Sequence, residues 1–253
     1  MKIRRKAAKL PPSAPPLYIV GYRGSSPAPE ELAIWFDVEY GGPLRLQADS
    51  GPSLGAPPQF RAVHGPWEAA IRLLLPAADA EAWKESLAWG HPNAGQVRLA
   101  RTAPSKAIDV VLHAARLARG LTLLTGGTAY DLRTQTYLNP SDWQDRPLTQ
   151  FSAGDHVTVE QSDADKAGRE RFYTKGLAKF GLDELEVFRP MGLSGRPTSE
   201  RLTDIAETII RLGQSPKVGA SLTLPGIGLT LSVTKHRTVP SAEGPLAFRE
   251  IAW

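Results

Sequence analysis

Residues 172–188 read FYTKGLAKFGLDELEVF and carry two glycines, two lysines and three carboxylates among aromatic and aliphatic side chains. Glycine adopts positive φ angles and lets backbone segments approach closely. Gly176 and Gly181 therefore predict a short helical link between two strands. On this interpretation the stretch is mainly scaffold, because its glycines are explained by geometry alone.

The strand predicted after this link shows a simple alternation. Leu185 and Val187 fall on one side, whereas Glu184, Glu186 and Phe188 fall on the other. This period of two is typical of an edge strand or of a half-exposed strand. The two glutamates are therefore expected to be solvated.

Outward from this stretch, the chain predicts an α+β fold. The run LYIVGY at residues 17–22 predicts a first strand, and the first hundred residues follow the order β-α-β-β-α-β. This order suits the ferredoxin-like plan, in which helices cover one face of an antiparallel sheet. An amphipathic helix at residues 198–212, set among further strands, indicates a second half of the same kind. We therefore predict two ferredoxin-like halves, antiparallel sheets with helices packed on one face. The predicted segments are a basic, proline-rich arm at 1–16, a first half at 17–138, a connection at 139–154 and a second half at 155–253.

The strongest helical pattern spans residues 102–119, with Gly120 placed to end it and a strand predicted over residues 121–130. Within this helix Asp109 and His113 lie one turn apart, a spacing that could orient an imidazole for general acid or base catalysis. They are the weak catalytic candidates of the sequence. The alternative, favoured because such spacing arises by chance in many helices, is an ordinary solvated helix face.

The basic charge is concentrated at the start of the chain. Lys2, Arg4, Arg5, Lys6 and Lys9 supply more positive charge than the net +4 of the whole sequence, so the rest is close to neutral. Such an arm can contact nucleic acid or another anionic surface with strongly salt-dependent affinity, it can dock onto a protein, or it can be a solvated tail, which is the favoured interpretation.

Composition narrows the location and the chemistry. The sequence has no cysteine, which excludes disulfides and thiolate sites. No apolar run approaches the length of a membrane span, and prolines follow the basic start where a signal peptide would be apolar, so cytoplasmic residence is expected. The histidines lack metal-binding spacing, and neither a dinucleotide, a Walker nor a serine-hydrolase motif occurs. We predict no cofactor and no metal.

Two of the six tryptophans fall outside any amphipathic pattern. Trp89 in AWGHP and Trp143 in NPSDWQDRP lie in predicted loops beside proline. Buried tryptophans often anchor protein interfaces. Both are therefore candidate contacts for a protein partner.

A combination of residues in the last third of the chain carries a family resemblance. The elements are Thr-x-Gly-Leu, Phe-Gly and Glu-Leu-Glu, formed here by Thr174, Gly176, Leu177, Phe180, Gly181, Glu184, Leu185 and Glu186. The segment resembles an uncharacterised bacterial family, domain of unknown function 4261. The acidic residue that the family pattern would place before Gly219 is Val218 here. The resemblance implies a bacterial protein and supplies no activity.

Together these observations favour a non-enzymatic interaction module that binds a protein partner, of immunity or adaptor type. One alternative is a nucleic-acid-associated protein that uses the basic arm. Another is a hydrolase or transferase that uses Asp109 and His113.

Overall fold

The protein contains two β-sheets and five helices in the part of the chain that its structure, a computed structural model, describes. The α+β class is confirmed, whereas the ferredoxin-like plan of each half and the segment boundaries stay predictions. The structure describes residues 16–48, 57–83, 90–99, 107–192, 194–224, 226, 228–241 and 245–253.

The first sheet has seven antiparallel strands in the order β2-β3-β4-β5-β1-β6-β7. The predicted LYIVGY run forms an interior strand of this sheet, between β5 and β6, and its side chains are buried on both sides of the sheet. The strands are β1 (Pro16–Tyr22), β2 (Leu44–Ala48), β3 (Gln59–His64), β4 (Trp67–Arg72), β5 (Asn93–Leu99), β6 (Thr128–Asp131) and β7 (Thr136–Leu138).

Three helices pack on this sheet. Helices α1 (Pro29–Tyr40) and α3 (Ala107–Thr125) lie together on the face that carries Tyr18 and Val20. The short helix α2 (Ala77–Trp83) packs through Ala80 against Ile19 and Ala94, on the opposite face. Both faces of the sheet centre are therefore covered, which explains the uninterrupted apolar character of β1.

Helix α3 is longer than the sequence predicts. It passes through Gly120 and continues to Thr125, so the first half of the strand predicted over residues 121–130 is helical, whereas Thr128–Asp131 does form a strand. A Cβ at Gly120 would lie 2.5 Å from Cζ3 of Trp35 on α1. Gly120 is therefore needed for close helix packing rather than for ending the helix, and Gly126, with φ of 61°, follows the last turn instead.

The second sheet has six strands in the order β11-β12-β13-β10-β9-β8. All its neighbours are antiparallel except β10 and β13, which run parallel. Helix α5 (Gly195–Leu212) covers one face with Leu202, Ile205 and Ile209, as its amphipathic pattern predicts. The strands are β8 (Thr158–Ser162), β9 (Arg169–Lys175), β10 (Glu184–Pro190), β11 (Ser221–Leu224), β12 (Leu229–Val239) and β13 (Leu246–Ala252).

The segment between the sheets is more ordered than a plain connection. It contains helix α4 (Pro140–Gln144) and buries both Trp143 and Leu148 in the first core. Helix α3 in turn contributes Val111 to the core of the second sheet. The two halves therefore share α3 as a common packing element.

The quoted stretch forms β9, a 3-10 turn at Leu177–Phe180 and β10. Gly176 has φ of 120° and Gly181 has φ of 73°, so the predicted glycine-bracketed link is confirmed. None of the helices in the described ranges combines the length and the apolar character that crossing a bilayer requires.

Candidate anion-binding cleft

The carboxylate of Glu184 holds the 3-10 turn in place. It accepts hydrogen bonds from the Thr174 hydroxyl at 2.7 Å and from the backbone N–H groups of Gly176 at 3.0 Å and Ala178 at 3.1 Å. Burial raises the pKa of Glu184, and these hydrogen bonds oppose the rise. The residue is 3% exposed, so the expectation that it is solvated is wrong.

Glu186 binds two arginines from neighbouring strands. It accepts a hydrogen bond from Arg171 Nε at 2.6 Å, and from Arg237 Nε at 2.7 Å and Nη2 at 2.5 Å. Burial alone would raise the pKa of Glu186, but the hydrogen bonds and charges of Arg237 and Arg171 outweigh it and the pKa falls below its ordinary value. Glu186 is 1% exposed and was also predicted, wrongly, to be solvated.

Aromatic rings position the same two guanidinium groups. Phe248 lies 4.8 Å from Arg171 Cζ and 4.9 Å from Arg237 Cζ, measured to the ring centroid, and Tyr173 lies 4.1 Å from Arg171 Cζ. Such contacts favour a cation over the ring face. Among the described residues, Arg171 Nη2 is buried and finds no hydrogen-bond acceptor. One donor of this cluster is therefore left without the partner that a buried polar group requires.

These side chains border a cleft of ≈ 200 Å³, which we call the anion-binding cleft. Its floor is formed by β9 and β10, one wall by the turn between β6 and β7, and the other by the hairpin of β12 and β13. The residues that define the cleft are Leu132, Arg133, Gln135, Arg171, Tyr173, Thr174, Lys175, Ala178, Glu184, Arg237, Val239, Ser241, Leu246 and Phe248.

Lys175 extends the polar side of the cleft. Its Nζ lies 2.8 Å from Glu160 Oε1 and donates a hydrogen bond to Gln135 at 2.7 Å. The Tyr173 hydroxyl donates to Glu160 at 2.6 Å, and burial together with this bond raises the pKa of Tyr173 to about 12. Burial would raise the pKa of Glu160, but the hydrogen bonds from Lys175 and Tyr173 lower it overall.

The charges of the cleft do not cancel. Arg133, Arg171, Lys175 and Arg237 border it as four cations, and Glu184 is the carboxylate in the same lining. Glu186 and Glu160, which pair with Arg171, Arg237 and Lys175, bring the carboxylates to three. The cleft therefore has an excess of one positive charge and can receive an anion. Across the described ranges, no group of three or more His, Cys, Asp or Glu side chains is arranged to hold a metal ion.

The predicted catalytic pair lies elsewhere, on α3. His113 is 1% exposed, and its Nε2 lies 3.2 Å from the carbonyl oxygen of Ala62 while its ring contacts Phe36. Burial lowers the pKa of His113 to about 4. The interpretation of a solvated face is therefore wrong at His113, because the first sheet packs over this side of the helix. Asp109, one turn earlier, is half-buried.

Trp143 is not the exposed contact that its proline-rich surroundings predict. It lies in α4 at 1% exposure, with its ring edge-on to Tyr18 at 6.3 Å. Its segment is helical because Pro140 occupies the first turn and the Asp142 carboxylate accepts the Asn139 N–H at 2.6 Å. Trp89 and the basic residues Lys2, Arg4, Arg5, Lys6 and Lys9 lie outside the described residues.

Sequence reasoning missed the cleft because its residues come from distant strands. Arg171, Glu186, Arg237 and Phe248 meet only through the pairing of β9, β10, β13 and β12. The one indication in the sequence was the alternation of Glu184 and Glu186 along their strand. In the structure, Glu184 binds the 3-10 turn and Glu186 binds the two arginines. No family model, curated protein or solved structure matches the chain. The resemblance to the bacterial family therefore stays a prediction.

Proposed function

We propose that this chain is a non-enzymatic, cytoplasmic interaction module that binds a protein partner through the anion-binding cleft. The observation that carries the proposal is the cleft itself, where Arg133, Arg171, Lys175 and Arg237 border one small volume and outnumber the associated carboxylates by one. A bound acidic group would balance that excess. An immunity or adaptor role, built on two ferredoxin-like halves, belongs to the same proposal.

The size of the cleft favours a side chain of a protein over a separate small molecule. Its volume of ≈ 200 Å³ is below the about 300–1,000 Å³ typical of small-molecule sites. Interfaces, in contrast, concentrate their binding energy in a few anchors that fill small pockets rich in arginine and aromatic residues. Arg171, Tyr173 and Phe248 form such a pocket.

The experiment is partner capture with the full chain and two variants. Ala178→Trp fills the cleft while it keeps every charge and the backbone N–H that binds Glu184. Arg249→Gln is the matched control, because it removes a half-buried sheet arginine whose partner is Asp183 and which does not border the cleft.

We expect the wild type and Arg249→Gln to retain a partner protein even after nuclease treatment. Ala178→Trp should not retain it. Its direct binding is then measured with the purified partner. Equal retention by both variants would refute the assignment to the cleft. Material that is released by nuclease and depends on residues 1–16 would favour nucleic-acid binding instead.

A further inference from the structure

We infer that the group received by the cleft is the carboxylate of an acidic side chain that has an aliphatic neighbour in the partner's chain. This inference rests on the proposed function and adds the chemistry of the partner segment. Its first support is charge. A single carboxylate balances the one positive charge that remains when Glu160, Glu184 and Glu186 are set against the four cations Arg133, Arg171, Lys175 and Arg237.

A phosphate group fits this balance less well. A phosphorylated side chain carries close to two negative charges at neutral pH. Its second charge would exceed the one positive charge that the four cations and three carboxylates of the cleft leave over, and it would lie near Glu186 and Glu160. Like charges at close range inside a cleft are unfavourable. The geometry therefore points to a monoanion.

The donor geometry also suits a carboxylate. Arg171 and Arg237 already direct Nε at Glu186, so both guanidinium groups are fixed in direction before a ligand arrives. The Arg171 guanidinium also packs against the rings of Tyr173 and Phe248. A preorganised donor loses little side-chain entropy on binding, and a charge-assisted bond to a carboxylate is stronger than a neutral one.

The apolar walls account for the aliphatic neighbour. Leu132 comes from the β6–β7 turn, whereas Val239 and Leu246 come from the β12–β13 hairpin. They stand beside the charged floor within the same ≈ 200 Å³. An acidic residue followed by a small aliphatic one would place its charge on the floor and its apolar group between the walls, where burial of apolar surface adds affinity.

The test is selection of random peptides displayed on phage against the full chain, followed by affinity measurements on synthetic copies of the selected peptides. We expect the selected sequences to share a Glu or Asp beside Val, Leu or Ile, and to be lost with Ala178→Trp. Exchange of that acid for its amide should weaken binding about 10- to 150-fold, the range for hydrogen bonds to charged groups. Phosphoserine at the same place should bind more weakly than the acid.

The variant Arg171→Gln links the effect to the proposed donor. It should weaken the acidic peptide and leave the affinity of the amide peptide nearly unchanged, whereas Arg249→Gln should alter neither. If Arg171→Gln does not fold, the peptide exchanges decide the question on wild-type protein.

Three results would overturn the inference. Selected peptides that occupy the cleft but lack an acid would overturn it and leave the proposed function intact. A tighter phosphoserine peptide would do the same. Failure to select any cleft-dependent peptide would also overturn it, and partner capture would then decide the proposed function separately.

Discussion

Lys179→Met should be among the most destabilising single changes in the protein. Lys179 lies in the 3-10 turn of the second half, and its Nζ donates to the Asp131 carboxylate of the first half and, at 2.8 Å, to the His156 carbonyl oxygen. The two side chains are 0% and 3% exposed. They form a buried ion pair between the halves.

The expected loss follows from what the substitution leaves behind. Without Lys179, Asp131 keeps the backbone N–H groups of Arg133 at 2.9 Å and Thr134 at 3.2 Å and its hydrogen bond with the Tyr18 side chain, but it loses the cation that balances its charge. Removal of one partner from a buried ion pair costs about 3–5 kcal/mol, because the other charge stays buried without its counterion. We therefore expect the free energy of unfolding to fall by about 4 kcal/mol.

The double variant Asp131→Asn/Lys179→Met tests this cause. Asparagine keeps the oxygen that accepts the two N–H groups and removes the buried charge. The double variant should recover about 2 kcal/mol relative to Lys179→Met, since replacement of both partners is much less costly than removal of one.

The assay is urea unfolding followed by circular dichroism, with the free energy taken from the midpoint and the slope. The control is Arg196→Met, whose side chain is 86% exposed and pairs with Glu200 within α5. It should change stability by less than about 0.5 kcal/mol. A loss below about 1 kcal/mol in Lys179→Met, or a double variant less stable than the single one, would refute the reasoning.

Three further outcomes follow from other buried features. Gly120→Ala should cost about 1–3 kcal/mol of unfolding free energy by overpacking, because its Cβ would meet Trp35 at 2.5 Å. If urea unfolding shows the variant to be as stable as the wild type, the close contact between α1 and α3 is contradicted. Trp143→Ala should cost about 3–5 kcal/mol, as expected for a side chain 1% exposed, whereas an exposed contact residue would change the urea midpoint little. Burial lowers the pKa of His113 to about 4 from 6.5 and that of His156 well below 6.5. Below pH 6.5 the unfolded chain therefore binds more protons than the folded protein does, and the stability that is present above pH 6.5 is lost as the pH falls. The slope should approach about 1.4 kcal/mol per pH unit for each histidine below pH 6.5, and for His113 it should end near pH 4, where the folded protein also binds the proton. A His113→Gln variant whose stability keeps the wild-type pH slope in urea titrations would exclude the contribution of that residue.

The sequence predicted those elements whose pattern is local. Strand β1, helix α5 and the glycine-bracketed turn at Leu177–Phe180 all follow from apolar periodicity or glycine placement within a few residues. The end of α3 was misplaced because Gly120 is a strong local stop signal, and its actual role depends on Trp35, which lies far away in the sequence. A tertiary contact thus outweighed the local propensity.

The candidate site was hidden from the sequence for a related reason. Glu186 occupies a position in the alternating pattern that is typical of a solvated residue. Nothing near it in sequence indicates that Arg171 and Arg237 cover it. Polar side chains are assigned to solvent by default, but a charged layer can itself be buried when its members pair. His113 was misjudged in the same way, since only the strand pairing places Ala62 above it.

The parallel pairing of β10 with β13 links the cleft to the order in which the chain is made. Strand β13 is the last strand in the sequence, yet it lies inside the sheet between β12 and β10 and supplies Phe248 to the cleft. During synthesis, β8, β9 and β10 emerge more than fifty residues earlier and must wait for residues 246–252 before the sheet can close. A nascent chain that has not yet reached residue 246 would thus present β10 with an open edge and without the Phe248 wall, so that the cleft is complete only once residues 246–252 have been made.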